Sequence, residues 1–293
     1  AMLAREDRDN ELKEHLQEAF TTDKRYIVTA IDLDRWHLIK PNSDRYRLPS
    51  AYNNRVTPRK LMIDAYPFKP NDMDIQWNDS SATNFVQAYL DWVCNEYKHF
   101  RSTTGPGVKL IFIPQTFGEY IWGNRWSYLL PPAKMAKCLQ LLPLCYKPDG
   151  VLSYKFDSII PDTAVIGERY QYALAWHHNN NVNLILTPQY YEIQAANRKL
   201  RYYAPIIRPL SWIGSEKINT DSFIAGFVPF IDSLQVVYQA SDPFYQGYIQ
   251  AGFYTNNIDS MYVMCVNRRT DHASSSGGVL NYITPANYND PTT

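Results

Sequence analysis

Glycine is scarce in this chain, 12 of 293 residues, and neither sign of charge prevails, with 29 Lys plus Arg against 29 Asp plus Glu. A formal net charge of zero without any basic run argues against nucleic acid as the main ligand and fits a neutral ligand better. No apolar run approaches 20 residues, so no membrane span is expected. Cysteine is limited to Cys94, Cys138, Cys145 and Cys265, with no CxxC pair and no His cluster beside them. A structural zinc site is therefore not expected, nor any other metal or cofactor. Cys138 and Cys145 stand seven apart, two turns along one helix face and too far to bridge, so buried free thiols are the expectation. No signal peptide is visible, although Ala1-Met2 reads as the scar of a cleaved tag, which leaves a native leader open. G-x-S-x-G, P-loop and dinucleotide fingerprints are all missing, so esterase, kinase and dehydrogenase readings have no support. Neither an internal repeat nor a low-complexity segment is found.

Aromatic residues are plentiful instead. Phe, Trp and Tyr make up 14% of the chain, with 23 Tyr and 7 Trp. Rings with a polar edge suit pyranoses, which present an apolar C–H face fringed by hydroxyls; they serve sheets and cores equally well. The run His177-His178-Asn179-Asn180-Asn181 invites a metal reading, but adjacent histidines on an extended segment point to opposite faces and no carboxylate neighbours them. A solvated turn is expected there. Asn267-Arg268-Arg269 either meets an anion or ends a strand with ion pairs between sheets.

Along the chain, the spacing of Leu12, Leu16, Ala19 and Phe20 predicts an amphipathic helix over 8–20, and residues 26–31 a short strand. A polar excursion follows over 32–49, and a polar loop over 69–83. Phe85, Val86, Tyr89, Leu90, Val93, Cys94 and Tyr97 form a helical stripe over 84–100. Gly105-Pro-Gly107 breaks it before a strand at 109–113, Pro131 and Pro132 introduce a helix over 133–144, and Lys147-Pro-Asp-Gly150 turns into a strand at 151–156. Three apolar stretches, Leu61–Phe68, Val108–Glu119 and Gly150–Asp157, each end in polar or aromatic groups, as buried parallel strands do when ligand chemistry gathers at their C-terminal rim. Strand, helix, strand, helix, strand implies parallel pairing with right-handed crossovers. Later segments 169–176 and 189–203 read as helical, the second ending at Pro205. Runs at 234–238, 248–254, 261–266 and 279–283 alternate and end in turns, which is antiparallel grammar. The expected class is α/β: a partial or complete (β/α)8 TIM-type barrel portion over 1–204, then a small antiparallel β-sandwich over 205–293.

Asp64-Ala-Tyr-Pro-Phe68, the strand end Ile113-Pro-Gln-Thr-Phe-Gly118 and the Pro132 helix leading to Gly150-Val-Leu-Ser-Tyr154 resemble the later strands of (β/α)8 glycoside-hydrolase-like proteins. Met261-Tyr-Val-Met-Cys-Val-Asn-Arg-Arg-Thr270 resembles the accessory β-domain of large secreted bacterial proteins of this type. The resemblance covers roughly 1–160 and 205–285. It implies an extracellular or cell-surface protein that acts on or binds carbohydrate. Only four strands are convincing before the β-domain, against the eight of a complete barrel. The missing half-barrel is then either in another chain or replaced by some other cover, and an uncovered half predicts a protein partner.

Retaining glycosidases use a carboxylic acid and a nucleophilic carboxylate about 5 Å apart. With the strand ending near Phe117 as the seventh of the family pattern, the resemblance implies Glu119 as nucleophile and Glu6 as acid/base. The family's Asn-Glu pair is absent at Glu6, which stands in Ala4-Arg5-Glu6-Asp7. The plain alternatives are a rim ion pair for Glu119 and a helix-dipole charge for Glu6. Asp64 either holds a sugar hydroxyl or is a hydrogen-bonded interior residue, and Tyr66, Gln115 and Tyr154 are further substrate-binding candidates at the rim. Trp122 and Trp126, on the loop after Glu119, either stack on a pyranose or pack the barrel mouth. Two functions follow: a glycoside-hydrolase-like protein working by two carboxylates, or a non-catalytic surface or assembly protein that keeps the barrel as scaffold for a protein partner.

Overall fold

The computed structural model describes residues 28–32, 60–66, 80–105, 107–121, 126–158, 169–178, 183–218, 249–258 and 260–268. The expected helix at 8–20 and strands at 234–238 and 279–283, together with Glu6 and Trp122, lie outside them.

Three of the apolar runs, with a fourth before them, pair in one direction. Strands β1 (Val28–Asp32), β2 (Lys60–Ala65), β3 (Lys109–Pro114) and β6 (Gly150–Val151) form a four-stranded sheet in that order. Every pairing is parallel, with Ile31 opposite Ile63, Ile63 opposite Phe112 and Phe112 opposite Val151. Beyond Val151 the pairing with β3 continues through the Leu152 N–H to the Phe112 carbonyl and the Thr116 N–H to the Tyr154 carbonyl.

The two-residue period of β2 and β3 decides what each face meets. Leu61, Ile63, Ala65, Leu110 and Phe112 point to one face and are fully buried. On that face lie helix α1 (Ser80–Thr103), through Leu90, Val93, Tyr97 and Phe100, and helix α2 (Ala133–Leu141), through Met135 and Leu139. Sequential strand order with crossovers of one hand puts both helices on the same side. Tyr97 packs on Phe112 at 4.2 Å between ring centroids and on Tyr146 at 5.7 Å. Burying each such side chain contributes about 1.5–3 kcal/mol. α1 is longer than its apolar stripe, because Ser102 and Thr103 turn their hydroxyls back to the His99 carbonyl and extend the last turn. α2 stops three residues short of the expected end: Pro143 has no N–H to continue the ladder, and the chain tightens into a 3-10 turn over Leu142–Tyr146.

Two segments that read as helical or as loop are strands. Residues 118–121 form β4 and pair antiparallel with β5 (Trp126–Tyr128) on one side and β7 (Arg169–Tyr172) on the other. Trp126 is thus a strand residue, not a loop residue as the sequence suggested. β8 (Ala175–His178) and β9 (Asn183–Leu186) form a hairpin. The 169–176 stretch satisfies both periods; alternation wins because β4 offers an edge and buries Tyr170 and Tyr172 together. Ala175 also bridges Asp157 in parallel, so the line of β6 is taken up again there by β8.

Helix α3 (Pro188–Ile207) is capped by Thr187, whose hydroxyl accepts from the Tyr190 N–H at 3.3 Å and donates to the Leu174 carbonyl at 2.9 Å. It was expected to end at Pro205 and instead continues through it, since the exposed last turn lets water take the unpaired carbonyl and buried Ile207 anchors the end. The expected boundary between 204 and 205 therefore falls inside a helix. α3 lies along α2, joined by Lys137–Glu192 at 2.5 Å and Gln140–Asn197 at 2.9 Å.

The C-terminal part supplies a three-stranded antiparallel sheet, β10 (Ser211–Ile218), β11 (Ile249–Thr255) and β12 (Met261–Asn267). β11 crosses the 3-10 turn so closely that a Cβ on Gly252 would stand 2.5 Å from the Cys145 backbone. The Cys145 thiol meets the Gln250 carbonyl at 3.4 Å, Trp212 donates to the Cys145 carbonyl at 2.9 Å, and Tyr254 donates to the Leu144 carbonyl. Arg268 ends β12 fully buried, donating to Asp91 of α1 at 2.5 Å and to Gln250 at 3.1 Å. Lys217 completes the pair on Asp91 at 2.9 Å. Arg268 is thus the strand-end ion-pair residue, directed at a helix rather than another sheet.

Gly252→Ala should lower stability by about 1–3 kcal/mol through overpacking against Cys145. Asp91→Ala, which strips the partner from a buried guanidinium but from a half-exposed carboxylate, should cost about 2–4 kcal/mol. Urea unfolding checks both, and an unshifted midpoint for Gly252→Ala contradicts the close approach.

Candidate functional site

The C-terminal ends of the parallel strands converge as expected, but on a filled rim. Tyr66, just past β2, is buried; its ring stacks on Tyr154 at 5.9 Å and meets Phe117 edge-on at 5.0 Å and Tyr128 at 6.0 Å. Phe117 closes the group against Tyr154 at 5.4 Å. Four rings thus pack on one another at this rim, with Tyr154 the most exposed of them at 42%. Gln115 is fully buried and spends its amide on the Phe117 carbonyl at 3.1 Å and the Leu129 carbonyl at 2.8 Å. Its geometry is that of a brace between chain segments. Asp64 sits half-buried on the face opposite α1, in register with Asp32 of β1 and Ile113 of β3.

Glu119 is not on an open rim. It lies within β4 at 4% exposure and accepts from Gln171 at 2.8 Å, while Gln171 in turn accepts from Lys155 at 2.8 Å. Burial pulls the Lys155 ammonium down from its ordinary range, opposed by Asp157 and Glu119. The apolar-strand signal stopped at Phe117, and nothing in the next residues announced that Gly118 begins a second sheet. A Cβ there would stand 2.7 Å from the Leu130 backbone, so the reversal needs glycine.

An open cleft lies elsewhere, between β6 and α3. Among the described residues, no strand pairs with the outer side of Gly150–Val151, and α3 leans on α2 rather than closing over that edge. The gap is a trough of about 570 Å³, within the roughly 300–1,000 Å³ of small-molecule clefts. Phe156 and Tyr190 give it ring faces, 6.2 Å apart and edge to face. Gln140, Ser153, Gln194 and Asn197 give it hydrogen-bonding groups, with Gln140 holding both Ser153 at 3.1 Å and Asn197 at 2.9 Å. Asp64, Tyr66, Gln115, Glu119 and Tyr154, the sequence-derived candidates whose side chains are described, do not line this trough. A signal was present, since Tyr190, Gln194, Asn197 and Arg201 recur at steps of four and three along α3, beside its apolar stripe.

Among the described residues no group of three or more His, Cys, Asp or Glu is placed to hold a metal ion. Cys94, Cys138 and Cys145 are buried and free, and Cys265 is exposed. Burial pushes all three buried thiols up, Cys138 to about 12. They are packing groups rather than nucleophiles.

No protein-family model matches the chain, and neither a curated protein nor a solved structure matches it.

A disulfide-exchange reagent at mildly alkaline pH should therefore titrate one thiol of the native chain, Cys265, and all four after unfolding. Because an unfolded thiol ionises near 9.0 and folded Cys138 near 12, stability holds below that window and falls as pH rises through it. The loss approaches about 1.4 kcal/mol per pH unit for each such thiol, readable from thermal melts at stepped pH.

Proposed function

We propose that this chain is a carbohydrate-binding protein of the extracellular or cell-surface kind, built on an arc of a (β/α)8-type barrel, which holds glycan between β6 and α3 without cleaving it at Glu119. The observation that carries this reading is the trough, where aromatic faces at Phe156 and Tyr190 stand beside the side-chain amides of Gln194 and Asn197, the latter held from behind by buried Gln140. A pyranose needs both at once: C–H groups lie on the ring faces while hydroxyls reach donors and acceptors that are already oriented. Phe156 is 47% exposed, an expensive place for a phenyl ring unless something covers it. Among the described residues, no helix is long and apolar enough to cross a membrane.

Hydrolysis by two carboxylates finds less support. Glu119 is buried and engaged by Gln171, and Glu6 lies outside the described residues. A second reading, a scaffold for a protein partner, is favoured by one observation. Leu152, Tyr154 and Phe156 are each between 42% and 50% exposed along the segment that leaves β6. Such a row of exposed apolar side chains is what a partner's strand or helix covers.

Glycan-array binding of the wild type beside Phe156→Ala, Tyr190→Ala and Glu119→Gln separates these readings. Each ring truncation should weaken binding about tenfold, the loss of one aromatic–sugar face, and Glu119→Gln should leave binding within about twofold. Turnover of chromogenic glycosides that disappears in Glu119→Gln would restore catalysis. Absence of glycan binding together with concentration-dependent self-association lost on Phe156→Ala would favour the scaffold.

A further inference from the structure

The trough does not end at Arg201. Val151, Asn197 and Arg201 are shared with a second groove of about 460 Å³, which runs past the start of β6 toward the end of α3. Its character is different. Lys109, Lys147, Arg201 and Arg208 line it against one carboxylate, Asp149. That carboxylate is already in use, accepting the Leu110 N–H at 2.9 Å. The ion pairs among the described residues join Lys98 to Glu216, Lys137 to Glu192, and Lys217 and Arg268 to Asp91, and leave these four cations out.

The cations come from separate parts of the chain and are brought together by the fold. Lys109 opens β3, Lys147 follows the 3-10 turn, and Arg201 and Arg208 lie near the C-terminal end of α3. Helix-dipole preference accounts for Arg208, the C-cap of α3, but not for Arg201, more than a turn before that end, nor for Lys109 on a strand. Lys147 is held by its backbone: it adopts φ 49°, and its N–H donates to the Tyr254 hydroxyl at 3.0 Å. Burial, and then the nearby Arg101, pull its ammonium down from the ordinary lysine range, opposed by Asp149. The chain as a whole is neutral, so this concentration is local rather than a by-product of a basic composition.

We propose that the trough and the groove form one continuous site for an acidic glycan, with sugar rings on Phe156 and Tyr190 and their anionic substituents on Lys147, Arg201 and Arg208. The inference rests on the carbohydrate reading and names its substrate class. The shared chemistry is a repeated oxyanion, carboxylate or sulfate ester, that guanidinium groups meet with paired hydrogen bonds.

The test uses the full chain and calorimetric titration with four probes: an oligogalacturonate, a heparin-derived oligosaccharide, a neutral cello-oligosaccharide and tripolyphosphate. Each is run at about 50 and about 500 mM salt, where screening lengths differ severalfold. At low salt at least one acidic oligosaccharide should bind about tenfold or more tighter than the neutral one, and lose that advantage at high salt. The double variant Arg201→Gln/Arg208→Gln should remove the advantage, while Phe156→Ala should weaken acidic and neutral sugars alike. Both arginines are exposed, so melting temperatures close to wild type are the control for folding. The two acidic probes tell carboxylate from sulfate. Equal, salt-insensitive affinity for acidic and neutral sugars overturns the acidic assignment and leaves the carbohydrate reading standing. Tripolyphosphate bound as tightly as the acidic sugars, with no effect of Phe156→Ala, overturns the carbohydrate reading. An acidic-sugar affinity unmoved by the arginine variant overturns the placement, and failure of every probe overturns both.

Discussion

The backbone of β11 lies directly on the backbone of Cys145, with room at Gly252 for a hydrogen and nothing larger. Most of the described structure follows from that contact. It fixes the 3-10 turn between α2 and β6, which the Trp212 indole and the Tyr254 hydroxyl then grip from neighbouring strands. Through Tyr146 the same turn reaches the core shared by the parallel sheet and α1. Because Tyr254 also receives the Lys147 N–H, the start of β6 is held from the antiparallel sheet. The cleft between β6 and α3 is therefore shaped by elements more than 100 residues apart in sequence. The buried Arg268, with Asp91 and Gln250, closes the other side of the same interface.

Local periodicity carried much of the fold. The apolar runs at Leu61 and Leu110 are buried on their alternate positions, and the stripe through Leu90, Val93 and Tyr97 is the buried face of α1, whereas the run from Gly150 is a strand only to Val151 and alternates half-buried and exposed residues. Where two periods competed, the sequence was ambiguous. Arg169–Trp176 satisfies a helix locally, yet Arg169–Tyr172 pairs with the edge of β4, more than 40 residues away, and Ala175 and Trp176 pair with β9. β10 escaped notice because a bulge between Trp212 and Gly214 shifts the alternation midway. Pro205 reads as a terminator, yet the burial of Ile207 beyond it outweighs one lost hydrogen bond.

The candidate site was less legible, for a related reason. Polar tips at the ends of parallel strands suggest a ligand mouth, but the sequence does not say which tips end up facing one another. Tyr66, Phe117, Tyr128 and Tyr154 satisfy one another, and Gln115 and Glu119 are consumed by Leu129 and Gln171. The cleft that stays open is assembled from the outer stripe of α3 and from the segment that runs from edge strand β6 to its bridge with β8 at Asp157. Charge followed the same pattern. A balance of 29 against 29 suggested a neutral ligand, whereas the fold gathers four cations and one carboxylate into a single groove.

The most direct test is where a ligand touches the chain. Amide chemical-shift mapping of the isotope-labelled protein, titrated with an acidic oligosaccharide, should perturb Gln140, Ser153, Phe156, Tyr190, Asn197 and Arg201 together, in proportion to occupancy. Perturbations centred on Tyr66, Gln115 and Glu119, with the α3 face silent, would place recognition at the rim of the parallel strands and contradict the account.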